Sequence, residues 1–188
     1  MAEPEPQLVR RAQSGDATAL GQLIAGQQGY VYSIALSLLR HPEDAADLTQ
    51  DAFVRLCGSI GTYRGETRFT TWLYRLVVNL GLDRLRKRGR SKEAVLDEET
   101  IDVTDVDPLI DPALSIDRQE TSRRVRTALE TLPTAYRVAL TLYYFKELQY
   151  EEIAGVLDLP LNTVKAHIRR GRLALAQRLS ASDFQEAW

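Results

Sequence analysis

Residues 148–179, LQYEEIAGVLDLPLNTVKAHIRRGRLALAQRL, leave few folds open. Apolar Ile153, Ala154 and Leu157 recur at three-to-four spacing, which predicts a helix over roughly residues 150–157. Pro160 lacks an N–H and biases Leu159 away from helix, so the pattern breaks there. Asn162 then stands where an N-cap belongs. In the helix that follows, Leu161, Val164, Ile168, Leu175 and Leu179 form one apolar stripe. Lys165, Arg169 and Arg172 line an outer face, with Ala166 and Arg170 on the adjoining row. Such a pair of helices is a helix-turn-helix able to enter a major groove. An αα-hairpin with a solvated basic face fits the same spacing, although no acid interrupts the basic run.

A net charge of −2 argues at first against a nucleic-acid partner. Its distribution reverses that. Residues 1–90 hold 12 basic and 9 acidic side chains, residues 118–188 hold 11 and 8, and residues 91–117 hold Lys92 against nine acids. Two mildly basic lobes are thus joined by an acidic connector, which has too few large apolar residues to fold alone and reads as an extended linker. No apolar run approaches a membrane span, and the acidic N-terminus is unlike a signal peptide. The single Cys57 rules out an internal disulfide and fits a cytoplasmic location. It follows the buried pattern and is expected in the core.

The first lobe reads as helices throughout. A short helix over residues 8–13 ends at Ser14-Gly15, and Asp16 caps a longer one, expected to break around residues 26–29. A third, over about residues 43–60, buries Ala45, Leu48, Ala52 and Leu56, with Phe53 also expected in the core. Its other face carries Asp44, Asp47, Asp51 and Arg55, flanked by Gln50; a row of aspartates suits a basic partner surface or a solvated face. After a glycine-rich loop holding Tyr63-Arg64, a long helix over residues 69–90 directs Phe69, Leu73, Val77, Leu76 and Leu80 inward. Trp72, Arg75, Asn79, Asp83 and Arg86 share a second face, suited to stacking on unpaired bases and reading their edges. Its end carries Arg84, Arg86, Lys87, Arg88 and Arg90, more charge than a helix dipole needs, which points to phosphate.

The second lobe adds helices at about residues 116–131 and 134–145 before the helix-turn-helix. No glycine-rich phosphate loop, nucleophile elbow or metal motif is visible, so no cofactor, metal or enzymatic activity is expected. The expectation is an all-α binding protein of two small helical domains, 1–90 and 118–188, joined by a flexible acidic linker, 91–117.

The chain resembles the extracytoplasmic-function sigma factors, the minimal two-domain initiation subunits of bacterial RNA polymerase. The resemblance rests on Asp47-Leu48-Thr49-Gln50-Asp51-Ala52-Phe53, on Tyr63-Arg64-Gly65 leading to Phe69-Thr70-Thr71-Trp72-Leu73, and on Val78-Asn79 through Asp83-Arg84-Leu85-Arg86. In the second lobe it rests on Leu132-Pro133, Tyr150-Glu151-Glu152-Ile153-Ala154 and Thr163-Val164-Lys165 with Arg170. It implies that residues 1–90 are sigma domain 2 and residues 118–188 sigma domain 4. Asp44, Asp47, Gln50, Asp51 and Phe53 would dock on the clamp helices of the polymerase's largest subunit. Tyr63, Arg64, Phe69, Trp72, Arg75, Asn79, Arg84, Arg86, Lys87 and Arg88 would open and hold the −10 element's non-template strand. Asn162, Thr163, Lys165, Ala166, Arg169, Arg170 and Arg172 would face the −35 duplex, the rest of that lobe binding the second-largest subunit's flap. The linker would thread the core enzyme, and an anti-sigma protein would sequester the chain. Asp158 stands in place of a usual turn glycine, Cys57 where an aromatic is common, and Arg169 in a slot often apolar. A conventional helix-turn-helix repressor would account for residues 148–179 and leave the Trp72 helix, the aspartates and the linker without a role. A helical scaffold would leave both basic clusters unused.

Overall fold

The computed structural model describes residues 3–88 and 118–185, the side chains of residues 118–123 and 181–185 excepted. Arg90 and the expected linker, residues 91–117, lie outside the described residues. All regular structure among the described residues is helical. The first lobe contains α1 (Pro6–Gln13), α2 (Ala17–Leu39), α3 (Pro42–Ser59), a 3-10 turn (Ile60–Thr62) and α4 (Phe69–Lys87). The second contains α5 (Arg118–Glu130), α6 (Thr134–Leu140) running into a π-helical turn (Thr141–Phe145), α7 (Tyr150–Leu157) and α8 (Leu161–Gln185).

Asp16 caps α2 as its position suggests, accepting from the backbone N–H of Thr18 at 2.9 Å and Ala19 at 3.0 Å. The expected break near residue 26 is absent: α2 runs without interruption. A glycine inside a helix costs about 1 kcal/mol. Burial of Leu23, Val31, Ile34, Ala35 and Leu38 on the same helix offsets more than that. α2 packs against α1, α3 and α4, and its leucines meet Leu48 and Leu56 of α3 and Leu73, Val77 and Leu82 of α4 in one core. A Cβ at Gly81 would lie 2.7 Å from Leu38 Cδ1 and 3.2 Å from Leu48 Cδ2, so glycine sets how closely α4 approaches. Phe53 is buried as expected, but Cys57 is exposed. It falls one position past the Ala45–Leu48–Ala52–Leu56 stripe, and the 100° turn per residue carries it to solvent.

In the second lobe, α7 opens with a capping box between Gln149 and Glu152 and closes at Asp158 in the left-handed conformation (φ 56°, ψ 49°). Aspartate therefore fills the turn position where glycine is usual. Asn162 is not the N-cap, because α8 begins one residue earlier and the Val164 N–H already reaches Pro160 O at 3.1 Å. The helix expected over residues 134–145 changes to π geometry at Thr141, leaving Tyr144 and Phe145 exposed.

The lobes pack directly on one another, α2 against α6 and α4 against α7. Arg137 is only 3% exposed; it donates to Ser37 O and Leu132 O, each at 2.6 Å, and to Thr134 Oγ1 at 3.1 Å. Arg40, itself left-handed at the end of α2, donates to the same Leu132 O at 2.6 Å. Lys146 is buried with its ammonium 2.5 Å from Ser33 Oγ and 4.5 Å above the Tyr30 ring.

Two outcomes follow from this packing. Gly81→Val is expected to lower unfolding free energy by about 1–3 kcal/mol, read as a lower urea midpoint at unchanged slope. Burial lowers Lys146 from an ordinary 10.5 to about 8. Between those values the unfolded chain carries a proton that the native chain does not, so native stability rises with pH across that window. Thermal unfolding across the window is expected to show that gain in the wild type and not in Lys146→Met.

Candidate nucleic-acid interface

The loop between the 3-10 turn and α4 is held from below by Gln13, whose side chain donates to Ile60 O at 3.1 Å and Tyr63 O at 2.8 Å. Tyr63 spans the loop by donating its hydroxyl to Thr67 O at 2.7 Å. Its ring centroid lies 5.5 Å from those of Phe69 and Trp72, which are 5.9 Å from each other. Phe69 is fully buried, so it supports the two half-buried rings and has no face to offer a base itself. Arg64 is exposed beside Gly65, which takes the left-handed φ (+75°) that turns the chain.

Trp72, Arg75 and Asn79 line one open groove of about 620 Å³, as their helical spacing predicts. Arg55 and Ser59 of α3 form its other wall. The sequence places Arg55 with the aspartates of α3; only the packing of α3 on α4 brings it beside Arg75.

The aspartate row and the basic end of α4, read separately in the sequence, meet in the structure. Arg88 pairs with Asp44 at 2.7 and 3.0 Å, Arg84 pairs with Asp51 and donates to Asp44 O at 3.3 Å, and Arg86 pairs with Asp83 at 2.7 Å. The hydrogen bond from Arg88 holds the Asp44 carboxyl below the usual carboxylate range. Such exposed pairs are weakened by water and salt, so an incoming phosphate or a partner's cation can exchange with them. Lys87, Asp47 and Gln50 stay exposed. Val54, one helical turn from Asp51, is 74% exposed, and its signal in the sequence is an aliphatic residue off the apolar stripe.

On α8, Asn162, Lys165 and Arg169 are exposed, while Thr163, Ala166 and Arg170 are half-buried beside them. Val164 and Ile168 anchor the opposite side. Arg172 departs from the expected row. Its guanidinium sits 5.1 Å from the Tyr143 ring centre and 5.4 Å from that of Tyr144. Seven residues after Lys165, the helix has reached the aromatic π turn, whose rings take the cation before a duplex can. His167, for which the sequence suggests no role, is buried against Tyr136. Among the described residues no group of three or more His, Cys, Asp or Glu could hold a metal, and no helix is long and apolar enough to cross a membrane.

Comparison with known proteins bears on both faces. Residues 23–91 match the family model of sigma-70 region 2, and residues 122–175 that of sigma-70 region 4. The RNA polymerase sigma-H factor of Pseudomonas aeruginosa is 32% identical over 94% of each chain. The ECF RNA polymerase sigma factor SigW of Bacillus subtilis is 30% identical, covering 91% of this chain and 94% of its own. The ECF RNA polymerase sigma-E factor of Escherichia coli is 32% identical over 92% of each. Among solved structures, CnrH in complex with the cytosolic domain of CnrY aligns with a TM-score of 0.63 at 26% identity, covering 93% of this chain and 96% of that one.

The contrast within α8 is testable. Arg172→Ala is expected to cost about 1–2 kcal/mol of stability through the lost aromatic contacts. Lys165→Ala should stay within about 0.5 kcal/mol of wild type, as a substitution at an exposed position. Chemical denaturation of both variants checks the pair.

Proposed function

The chain belongs to the extracytoplasmic-function sigma factors of bacterial RNA polymerase, and from that membership we propose how its surfaces divide promoter recognition. Sigma factors are transcription initiation factors and not enzymes; they direct core polymerase to promoters, so the chemistry here is binding. We assign the −35 element, read as duplex, to Asn162, Thr163, Lys165, Ala166, Arg169 and Arg170 at the start of α8. The melted −10 strand goes to the 63–79 face, with Arg84, Arg86, Lys87 and Arg88 holding phosphates. Asp47, Gln50, Asp51 and Val54 on α3 would meet the clamp helices of the largest polymerase subunit, and the remaining second-lobe surface the flap of the second-largest. With the polymerase as partner, the compartment this reading assigns to the protein is the cytoplasm.

The observation that carries this reading is half-buried Trp72, packed against Tyr63 and lining a groove with Arg75 and Asn79. Extruding a base from duplex costs a few kcal/mol. Stacking on aromatic side chains returns about 1–3 kcal/mol per base, and contacts to the strand backbone supply the remainder. Reading the duplex needs different equipment, namely a helix presenting polar and basic side chains to base edges, with each bidentate arginine–guanine pair discriminating by about 1–3 kcal/mol. CnrH was solved with the cytosolic domain of CnrY bound, and by that likeness we assign this chain an anti-sigma partner as well.

In-vitro transcription of a genomic fragment library by core polymerase tests the assignment. Adding this chain is expected to produce discrete start sites that share paired upstream motifs. Trp72→Ala should reduce output from duplex templates by roughly tenfold, matching the loss of one stacked base, and much less from templates melted in advance at the −10 element. No new start sites, together with tight duplex binding by the isolated chain, would favour a conventional repressor.

A further inference from the structure

Arg68, which no sequence pattern singled out, lies between two carboxylates of its own chain. Its Nε is 3.9 Å from Glu3 Oε2, and its Nη1 is 3.9 Å from Glu152 Oε1. Glu3 also accepts from the backbone N–H of Phe69, from that of Thr70 at 3.4 Å and from Thr70 Oγ1 at 2.6 Å, so it covers the first turn of α4. Glu152 reaches across from the helix-turn-helix and accepts from Thr71 Oγ1 at 3.0 Å. Between α4 and α7 a cavity of about 510 Å³ is lined by Arg68, Thr71, Trp72 and Arg75 on one wall and by Glu151 and Glu152 on the other. The wall that holds Trp72 and Arg75 is the one assigned above to the unpaired strand, and here it faces acids.

We propose that Arg68 is a further strand-binding residue, contacting a phosphate next to the captured base, and that Glu3 and Glu152 occupy it in the free chain. The strand and the carboxylates then compete for one guanidinium. This rests on the reading of the 63–79 face as the −10 strand site. Three observations support it. Arg68 immediately precedes Phe69 of the aromatic cluster and lines the same cavity as Trp72. Both ion pairs are about 1 Å longer than a charge-assisted hydrogen bond, which attracts the cation without locking it. Arg68 keeps a 44% exposed side chain, open to a ligand from solvent. A phosphate entering there displaces Glu152, and with it one contact that holds α7 over α4.

A double-mutant cycle on the full chain tests the competition. The probe is a fluorescein-labelled single strand carrying the −10 segment of a start site mapped by transcription, titrated at several salt concentrations. Glu152→Gln keeps one oxygen to accept from the Gln149 N–H, so α7 retains its cap, while its amide NH2 can donate to the Thr71 hydroxyl oxygen in place of the bond Glu152 accepts there. It should bind the strand about two- to fivefold tighter than wild type. Glu3→Gln should act in the same direction. Arg68→Gln should weaken binding and lower the salt slope by roughly 0.7, the share of one phosphate on a single strand, while Arg68→Lys keeps the slope. In the Arg68→Gln background, Glu152→Gln should bring no gain. An equal gain in both backgrounds would mean general charge repulsion and overturn the proposal. If Trp72→Ala leaves strand binding unchanged, the site reading itself falls and takes this inference with it. If Trp72→Ala weakens binding and Glu152→Gln does not strengthen it, the inference alone falls.

Discussion

The arrangement of the whole chain turns on the buried guanidinium of Arg137. A charge without solvent is tolerated only when its donors are satisfied, and Arg137 finds carbonyls on both lobes, Ser37 O at the end of α2 and Leu132 O before α6. The last carbonyls of a helix lack intrahelical partners. Here the second lobe supplies the donor for one of them, and Arg40 at the end of α2 returns a bond to Leu132 O. The second lobe therefore satisfies one end carbonyl of α2, and the turn carbonyl before α6 accepts from both lobes. Removing Arg137 would leave a gap and an orphaned Ser37 O in a buried interface, so this contact helps set how the second lobe sits on the first.

Periodicity carried most of the helices, because each buries a stripe that the sequence spells out. It failed where tertiary packing outweighed a local signal. Gly26 and Gly29 read as a break, yet the leucines and isoleucine on either side belong to one core and hold α2 straight. Asn162 looked like a cap because its side chain suits the role, but the backbone of Pro160 already opened α8. Arg172 sat in register with Lys165 and Arg169; only the switch to π geometry at Thr141 brought Tyr143 and Tyr144 under it. No residue pattern announces that switch.

The candidate site divides in the same way. Trp72, Arg75 and Asn79 share one helix, and their common groove follows from spacing alone. Arg55, Arg68 and Glu152 owe their positions to contacts between elements, and a single sequence offers no register for such contacts. The sharpest case is the meeting of Asp44 and Asp51 with Arg88 and Arg84. Read along the chain, these are an acidic face and a basic tail, each seeking an external partner. In space they pair with each other, so a charged partner of either surface has to compete with the other for its charge. Val54, exposed one helical turn from Asp51, supplies an apolar contact that a salt-screened ion pair does not.

The contacts between the lobes are graded in strength along the interface. At the α2–α6 end the groups are buried: Arg137, Lys146 and Thr134 are shielded from water, and unmaking their bonds exposes polar atoms to no immediate substitute. At the α4–α7 end the Arg68–Glu152 ion pair is half-exposed and long, so water or salt replaces it at little cost, which leaves the 3.0 Å bond from Thr71 Oγ1 to Glu152 as the shorter tie. A structure tied in this way yields first at its weak edge. Parting of α7 from α4 uncovers Arg68, Trp72 and Arg75 while the α2–α6 contacts still hold the second lobe close. The face proposed to take the unpaired strand thus lies under the end of the interface that holds the longer ion pair.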